Sequence, residues 1–391
     1  MGVDAAKAIL FSNRKVAPAL LGGLLLAGGL LISDSKMAVM FAIALVMGLA
    51  LCHASFGFSA AYRHLFTGGD TSGAQSHLIL LALTTIFFAP FLADGTAFGS
   101  SVGGAIAPVG VGMAFGAAIF GIGMQLANAC ASGTLYTAGS GNLRMFVVLI
   151  CFCIGAFWGS LDLGWWQSLP GVKSISLGDE FGWVAAVASQ LIVFAFLFVL
   201  LRKLNHRRHG TDGQTMTSFS IEKIIRGPWP LVWGAVALAL LNWATLVNAG
   251  HPWSVTWGFT LWSGKAAVLL GWDPSSSSFW ANGFQANALK NSIWSDVTSV
   301  MNMGILAGAA LASILASRIS KNNKTHWRSL LAAVIGGLLL GYGARLAYGC
   351  NIGAFVSGVA STSLHGWVWI LCALPGNWIG VKLRPYFQLT N

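Results

Sequence analysis

"GYGARLAYGCNIGAFVSG" (341–358) places a glycine cluster, an arginine, and a cysteine followed by asparagine inside an otherwise apolar part of the chain. A lipid-facing helix excludes such residues, because glycine weakens a helix interior and a charge at bilayer depth is costly. A second stretch, "GIGMQLANACASGTLYTAG" (121–139), carries the same skeleton 220 positions earlier. Together they predict a chain that crosses a membrane and breaks its helices there twice, in the same way.

Composition agrees. Of 391 residues, 56% are hydrophobic and 8% are charged, against about a quarter charged in a soluble domain. Such a chain cannot cover a water-facing surface, so a polytopic membrane protein is expected. The net charge of +11 comes from basic residues that fall between hydrophobic runs. That is the positive-inside pattern rather than a nucleic-acid-binding surface. Six cysteines (52, 130, 151, 153, 350 and 372) form no CxxC pair and gather no His or acidic neighbours. A zinc site, or any other metal or cofactor, is therefore not expected. Cys151 and Cys153 lie in an apolar run and read as packing residues.

Apolar runs give ten candidate spans, near 16–32, 37–55, 76–93, 103–124, 143–163, 183–201, 228–248, 296–316, 329–345 and 365–381. The first has no cleavage signal and reads as retained. The segments 57–70, 130–140, 258–292 and 350–360 are too short or broken to span and read as re-entrant half-helices, which survive at membrane depth only inside protein or along a wet cavity. Basic loops at 202–226 and 318–328, with Lys7, Arg14 and Lys15 before the first span and Lys382 and Arg384 after the last, set the orientation. If all are cytoplasmic, the spans between them must be even in number, and they count six, two and two.

The two halves repeat. At an offset of 220, Gly116/Gly336, Gly121/Gly341, Gly123/Gly343, Leu126/Leu346, Ala127/Ala347, Cys130/Cys350 and Gly133/Gly353 are identical. At 221, Leu143/Leu364, Cys151/Cys372, Gly155/Gly376 and Gly159/Gly380 also match. A weaker match at 226 aligns "GFSA" (57–60) with "GFQA" (283–286) and Asp70 with Asp296. Five spans separate the copies, so they cross in opposite senses, the inverted repeat of many secondary transporters. The fold expected is all-α: an inverted-repeat helical bundle of about 9–10 transmembrane helices with short re-entrant half-helices. One integral membrane transport domain fills residues 1–391, with repeats over 37–201 and 228–384 joined by the basic cytoplasmic loop 202–226.

The glycines allow close helix packing whatever else they do. The junctions "ACASG" and "GCNIG" could each start a short helix, where exposed N–H groups attract anions. A neutral thiol donates weakly to an anion without adding a full charge, and conduction needs binding that the ion can escape. Candidate pathway residues are therefore Cys130, Ser132, Cys350 and Asn351. Arg345 lies five residues before Cys350 and either snorkels or serves the pathway; its repeat counterpart is Gln125. Arg63, in "FSAAYRH", either serves the cytoplasmic mouth of the pathway or is a solvated positive-inside residue. His64 and His365 show no partner in the sequence.

At these residues the sequence resembles the YeeE/YedE family, membrane proteins with a sulphur transport domain. The resemblance is carried by "GYGARLAYGCNIGAFVSGVASTSLHGW" (341–367), "GIGMQLANACASGTLY" (121–136) and "GFSAAYR" (57–63). It implies a multi-pass importer of the bacterial inner membrane that passes thiosulfate, or a related small sulfur-containing anion, along cysteines by S–H contacts. The family pattern has three such cysteines, and Cys130 and Cys350 match two. At the third, where the family reads Cys-Phe-x-x-Ala-Phe-Arg, this chain has Gly57, and Cys52 lies five residues earlier. A glycine there leaves backbone N–H groups within reach of an anion. Expected partners are that anion, the lipid bilayer and a cytoplasmic sulfur-carrier protein, with no nucleic acid. The competing readings are a membrane thiol-redox or sulfur-transfer enzyme using Cys130 and Cys350, and a membrane scaffold, which gains little from an inverted repeat. No Walker motif is present, so the chain does not itself hydrolyse ATP.

Overall fold

The computed structural model describes residues 34–209, 221–316 and 326–390, and the expected span at 16–32 lies outside them. The helices that build the bundle are α1 (Ser35–Ala54), α2 (Phe58–Thr67), α3 (Ser72–Asp94), α4 (Val111–Ala127), α5 (Ala131–Gly139) and α6 (Leu143–Leu161). They continue with α7 (Trp183–His209), α8 (Leu231–Ala249), α9 (Thr256–Leu269), α10 (Gly283–Lys290), α11 (Val297–Leu315), α12 (Trp327–Leu346) and α13 (Leu364–Leu383). Between α12 and α13 the chain makes a π-helical turn, Asn351–Val356, and one α turn, Ser357–Ala360. Two ladders of two-residue strands, 96–97 with 100–101 and 109–110 with 171–172, tie the loops.

Eight stretches among the described residues are long and apolar enough to cross a membrane. Three of them contain a break: Ser35–Thr67, Val111–Gly139 and Trp327–Ala360. α13, expected as the tenth span, is a full 20-residue helix, but its His, Asn and Pro residues keep it out of that set. It packs along α4 inside the bundle, where neighbouring helices rather than lipid meet its polar side chains. The broken segment 258–292 divides into α9 and α10. α7 turns Val184, Ile192, Phe196 and Val199 outward, the apolar surface that lipid requires.

Lipid is as apolar as leucine, so helices associate here through close packing rather than the hydrophobic effect. The repeated glycines supply that approach. A Cβ on Gly121 would lie 2.3 Å from the Ala373 carbonyl oxygen, and one on Gly376 1.9 Å from that of Ala118. Their repeat counterparts behave alike: Gly341 would meet the Phe152 oxygen at 2.1 Å and Gly155 the Leu338 oxygen at 2.3 Å. So α4 packs on α13 as α12 packs on α6. The two first members also pack on each other, Gly116 against Gly343 and Leu346, Gly123 against Gly336 and Leu340. That contact order makes α4 and α12 antiparallel.

The weaker upstream match is also visible. Asp70 accepts from the Ser72 N–H at 2.9 Å before α3, and Asp296 caps α11 through the Ser299 N–H at 2.7 Å. Packing gives α2 a different counterpart from the one the 226 offset suggests. α2 lies on α13, and α9 lies on α6, so α9 rather than α10 occupies the equivalent place.

Candidate functional site

Each break has the same backbone. α4 ends where Asn128 turns left-handed (φ 64°), and Cys130 follows in an extended conformation (φ −93°, ψ −171°) as N-cap of α5. α12 ends where Tyr348 turns left-handed (φ 59°), and Cys350 (φ −100°, ψ −168°) caps the next turn. Gly349 between them has φ 148°, a conformation open to glycine alone. Both cysteines therefore start a short helical segment with their sulfurs beside its first N–H groups. The Gly133 N–H donates to the Cys130 sulfur at 3.4 Å, and Ser132 Oγ lies 3.5 Å from it. The N–H groups of Ile352 and Gly353 interact with the Cys350 sulfur. The π turn after Cys350 is the kind of helix irregularity that gathers at functional sites.

The breaks meet. Both cysteines are buried, and their sulfurs are close enough to interact electrostatically. Tyr62, from α2, lies beside Cys130 and faces the Asn351 amide. Asn351 is fully buried, yet neither its amide oxygen nor its nitrogen makes a hydrogen bond of good geometry. A buried amide in that state costs about 1–3 kcal/mol unless something else satisfies it. Asn351 is thus a buried amide beside Tyr62 whose hydrogen-bonding capacity is not used up within the protein.

The remaining sequence candidates divide. Gly57 is the N-cap of α2, and a Cβ there would lie 3.3 Å from the Tyr136 hydroxyl. Arg63 is placed at the α4 break, where it donates to Asn128 Oδ1 at 2.7 Å. Arg345 holds its guanidinium 5.0 Å from the centre of the Phe279 ring, with its Nε without a partner. It interacts with Tyr348, which lines a cavity of about 310 Å³ together with Leu346, Trp166, Gln167 and Lys173. Arg345 thus lies next to a residue of this cavity without lining it. His365 Nδ1 lies 3.0 Å from Ser363 Oγ, and His64 is exposed. All six cysteines are free thiols, and Cys151 packs against Gly337.

Sequence reading missed Tyr62, Tyr136 and Arg144, and gave Arg384 only a part in setting the orientation. Arg144 donates to the Ala127 and Leu126 carbonyls at 2.6 and 2.8 Å, and Arg384 to the Gln125 carbonyl at 2.7 Å and Asn128 Oδ1 at 3.1 Å. With Arg63 they cap the end of α4, where cations complement the helix dipole. Their clustering beside the Cys130 break also makes that end strongly positive. The only signal available in the sequence was scarcity: the chain has five tyrosines, and two of them sit on the half-helices. Among the described residues no group of three His, Cys, Asp or Glu could hold a metal ion. Thiols, hydroxyls, peptide N–H groups and one amide instead form a neutral donor set suited to a small anion.

Comparison with known proteins agrees with this picture. The profile of the family described as Sulphur transport matches residues 53–379. The "Probable transporter YedE" of Escherichia coli (strain K12) is 29% identical over 163 residues, 41% of this chain and 40% of that protein. The chain thus matches less than half the length of that relative. The "Thiosulfate transporter TsuA" of Spirochaeta thermophila is 28% identical over 360 residues, 86% of this chain and 95% of that protein. The protein of the same name from Escherichia coli (strain K12) is 24% identical over 286 residues, 70% of this chain and 76% of that protein.

Proposed function

The chain belongs to the Sulphur transport family, and from that premise we propose that it takes up a small sulfur-containing anion, thiosulfate or a close relative, across a bacterial inner membrane. The observation that supports this reading is the presence, in one buried region, of Cys130, Cys350, Tyr62 and the Asn351 amide at two matched helix breaks. Relatives named as thiosulfate transporters along most of the chain support it.

The mechanism follows from the donor set. The anion enters past the cavity beside Tyr348, drawn by Arg345 and Lys173. At the breaks it exchanges water for S–H, O–H and N–H donors. None of these carries a full charge, so the ion is held and then released. Cys350 and Cys130 lie in succession, each thiol donating to the anion as the previous one lets go. The antiparallel α4 and α12 place the two thiols on breaks approached from opposite sides, as an inverted repeat requires. The positive end of α4, with Arg63 and Arg144, favours arrival on the Cys130 side. Positive-inside loops make that side cytoplasmic.

Labelled thiosulfate uptake into proteoliposomes tests the proposal. Uptake is expected with the wild type and lost in Cys130→Ala and Cys350→Ala. Turnover of a sulfur donor by solubilised protein without vesicles would favour the sulfur-transfer enzyme instead.

A further inference from the structure

Of the eight spanning stretches among the described residues, α7 is the least covered by protein, with 17% of its apolar part buried against 39% or more in the others. One side of it is nevertheless fixed. Gln190 accepts from the Trp367 indole N–H at 3.0 Å, and Phe194 stacks on the same indole with ring centres 5.6 Å apart. Further along, the Leu201 carbonyl accepts from the Thr71 hydroxyl at 2.9 Å, and Asn205 Oδ1 accepts from the Thr71 N–H at 3.3 Å. Arg208 packs over Gly69. Positions 190, 194, 201, 205 and 208 share one side of a helix with 3.6 residues per turn, so α7 is held in register from its middle to its end.

That register decides what the other side presents to lipid. Ile192, Phe196 and Val199 point outward in succession. The next residues on that side are Lys203, His206 and Arg207, with Arg202 at its edge, and all four are exposed. A cavity of about 570 Å³ lies at the change from apolar to basic, and its lining among the described residues is Phe198, Val199, Arg202, Lys203, His206 and Arg207. α7 carries no Asp or Glu to neutralise these cations. The change falls between Val199 and Lys203, about 6 Å along the axis at 1.5 Å per residue. Hydrocarbon followed by cation is the order in which a phospholipid, with its acyl chain and then its phosphate, finds complementary surface.

We propose that this side of α7 is a binding site for an anionic phospholipid of the cytoplasmic leaflet, its acyl chain on Phe198 and Val199 and its phosphate among Arg202, Lys203 and Arg207. A guanidinium gives a phosphate two parallel N–H donors, and an ammonium gives it a point charge. The basic end of α7 belongs to the cytoplasmic side by the positive-inside rule, where the anionic lipids attract such clusters. A zwitterionic headgroup carries its own cation and loses most of that attraction, so the site selects by charge. The bound lipid steadies α7 where it packs on Thr71 before α3 and on Trp367 of α13. The site does not depend on which anion the protein carries.

Native mass spectrometry of the full chain in detergent, titrated with phosphatidylglycerol or phosphatidylcholine, tests it. Wild type is expected to bind phosphatidylglycerol about tenfold or more tightly than phosphatidylcholine. Lys203→Gln/Arg207→Gln is expected to weaken phosphatidylglycerol about 30-fold, the worth of two basic side chains near an anionic headgroup, and to leave phosphatidylcholine unchanged. Lys36→Gln/Lys290→Gln removes the same charge from exposed positions elsewhere and should bind as wild type does. Lys203→Gln alone, with an expected loss of about fivefold, carries the test if the double variant does not fold. Glycerol 3-phosphate, which has the headgroup phosphate without acyl chains, should not displace the lipid at equal concentration. Equal affinity for the two lipids, wild-type phosphatidylglycerol binding in Lys203→Gln/Arg207→Gln, or an equal loss in the charge-matched control would overturn the site. Displacement by glycerol 3-phosphate would overturn it as well, since the ligand would then be a free phosphate and not a lipid.

Discussion

Alanine at Gly376 should push two helices apart. Its Cβ would fall 1.9 Å from the Ala118 carbonyl oxygen, whereas close C–H···O contacts between helices sit at about 3.3–3.6 Å. α13 must then retreat from α4 by about 1.4 Å to restore that contact. A gap of 0.5–1 Å already forfeits about a quarter to a half of each dispersion contact along the seam. The obstacle is backbone, which cannot swing aside, so the cost lies near the upper end of overpacking, about 3 kcal/mol. The repeat supplies an internal comparison. Gly155→Ala meets the Leu338 oxygen at 2.3 Å, a smaller shortfall of about 1 Å, and should cost about 2 kcal/mol. Gly103 has nothing within 4 Å of its Cβ position, so Gly103→Ala should stay within about 0.5 kcal/mol of wild type. The assay is the temperature at which detergent-solubilised protein loses half of its monodisperse gel-filtration peak. Gly103→Ala should match wild type, Gly155→Ala should fall below it, and Gly376→Ala should fall lowest. Gly376→Ala as stable as Gly103→Ala would refute the claim that these glycines set helix separation.

Asn351→Leu should cut thiosulfate uptake strongly while lowering the melting temperature little, because the buried amide makes no hydrogen bond of good geometry and only its approach to Tyr62 is lost. A parallel loss of stability and uptake would show that Asn351 serves packing instead. Arg144→Ala should destabilise by about 3 kcal/mol, since it strips donors from the buried Ala127 and Leu126 carbonyls; an unchanged melt would refute its capping role. Arg345→Gln should raise the KM for thiosulfate severalfold with Vmax little altered, and should weaken the salt dependence of uptake, as expected for a charge that attracts rather than binds. An unaltered KM would remove Arg345 from the approach.

The features that were legible in the sequence are those that a single helix carries with it. Gly121/Gly341 and Gly155/Gly376 matched by spacing, and they make matching contacts in space. The Cys130 and Cys350 caps were legible because small residues after an apolar run mark a helix break. Asn128 and Tyr348, at equal repeat positions, share a left-handed turn that their differing side chains concealed. What stayed hidden depends on tertiary packing. Tyr62 reaches Asn351, and Tyr136 reaches Gly57, only after elements far apart in the chain pack together. Arg345 lies five residues before Cys350 in sequence, and only the packed structure shows its guanidinium over the Phe279 ring. The 226 offset favoured Gly283–Lys290 as the partner of α2 because short Gly/Ala matches are cheap, while packing gives that place to α9.

The most direct test of the central claim is thiosulfate uptake by proteoliposomes holding Cys130→Ala or Cys350→Ala, each first shown to be monodisperse. Two buried thiols in succession on matched breaks predict that either change alone abolishes most of the uptake. Wild-type uptake in both variants would contradict a pathway built on these cysteines.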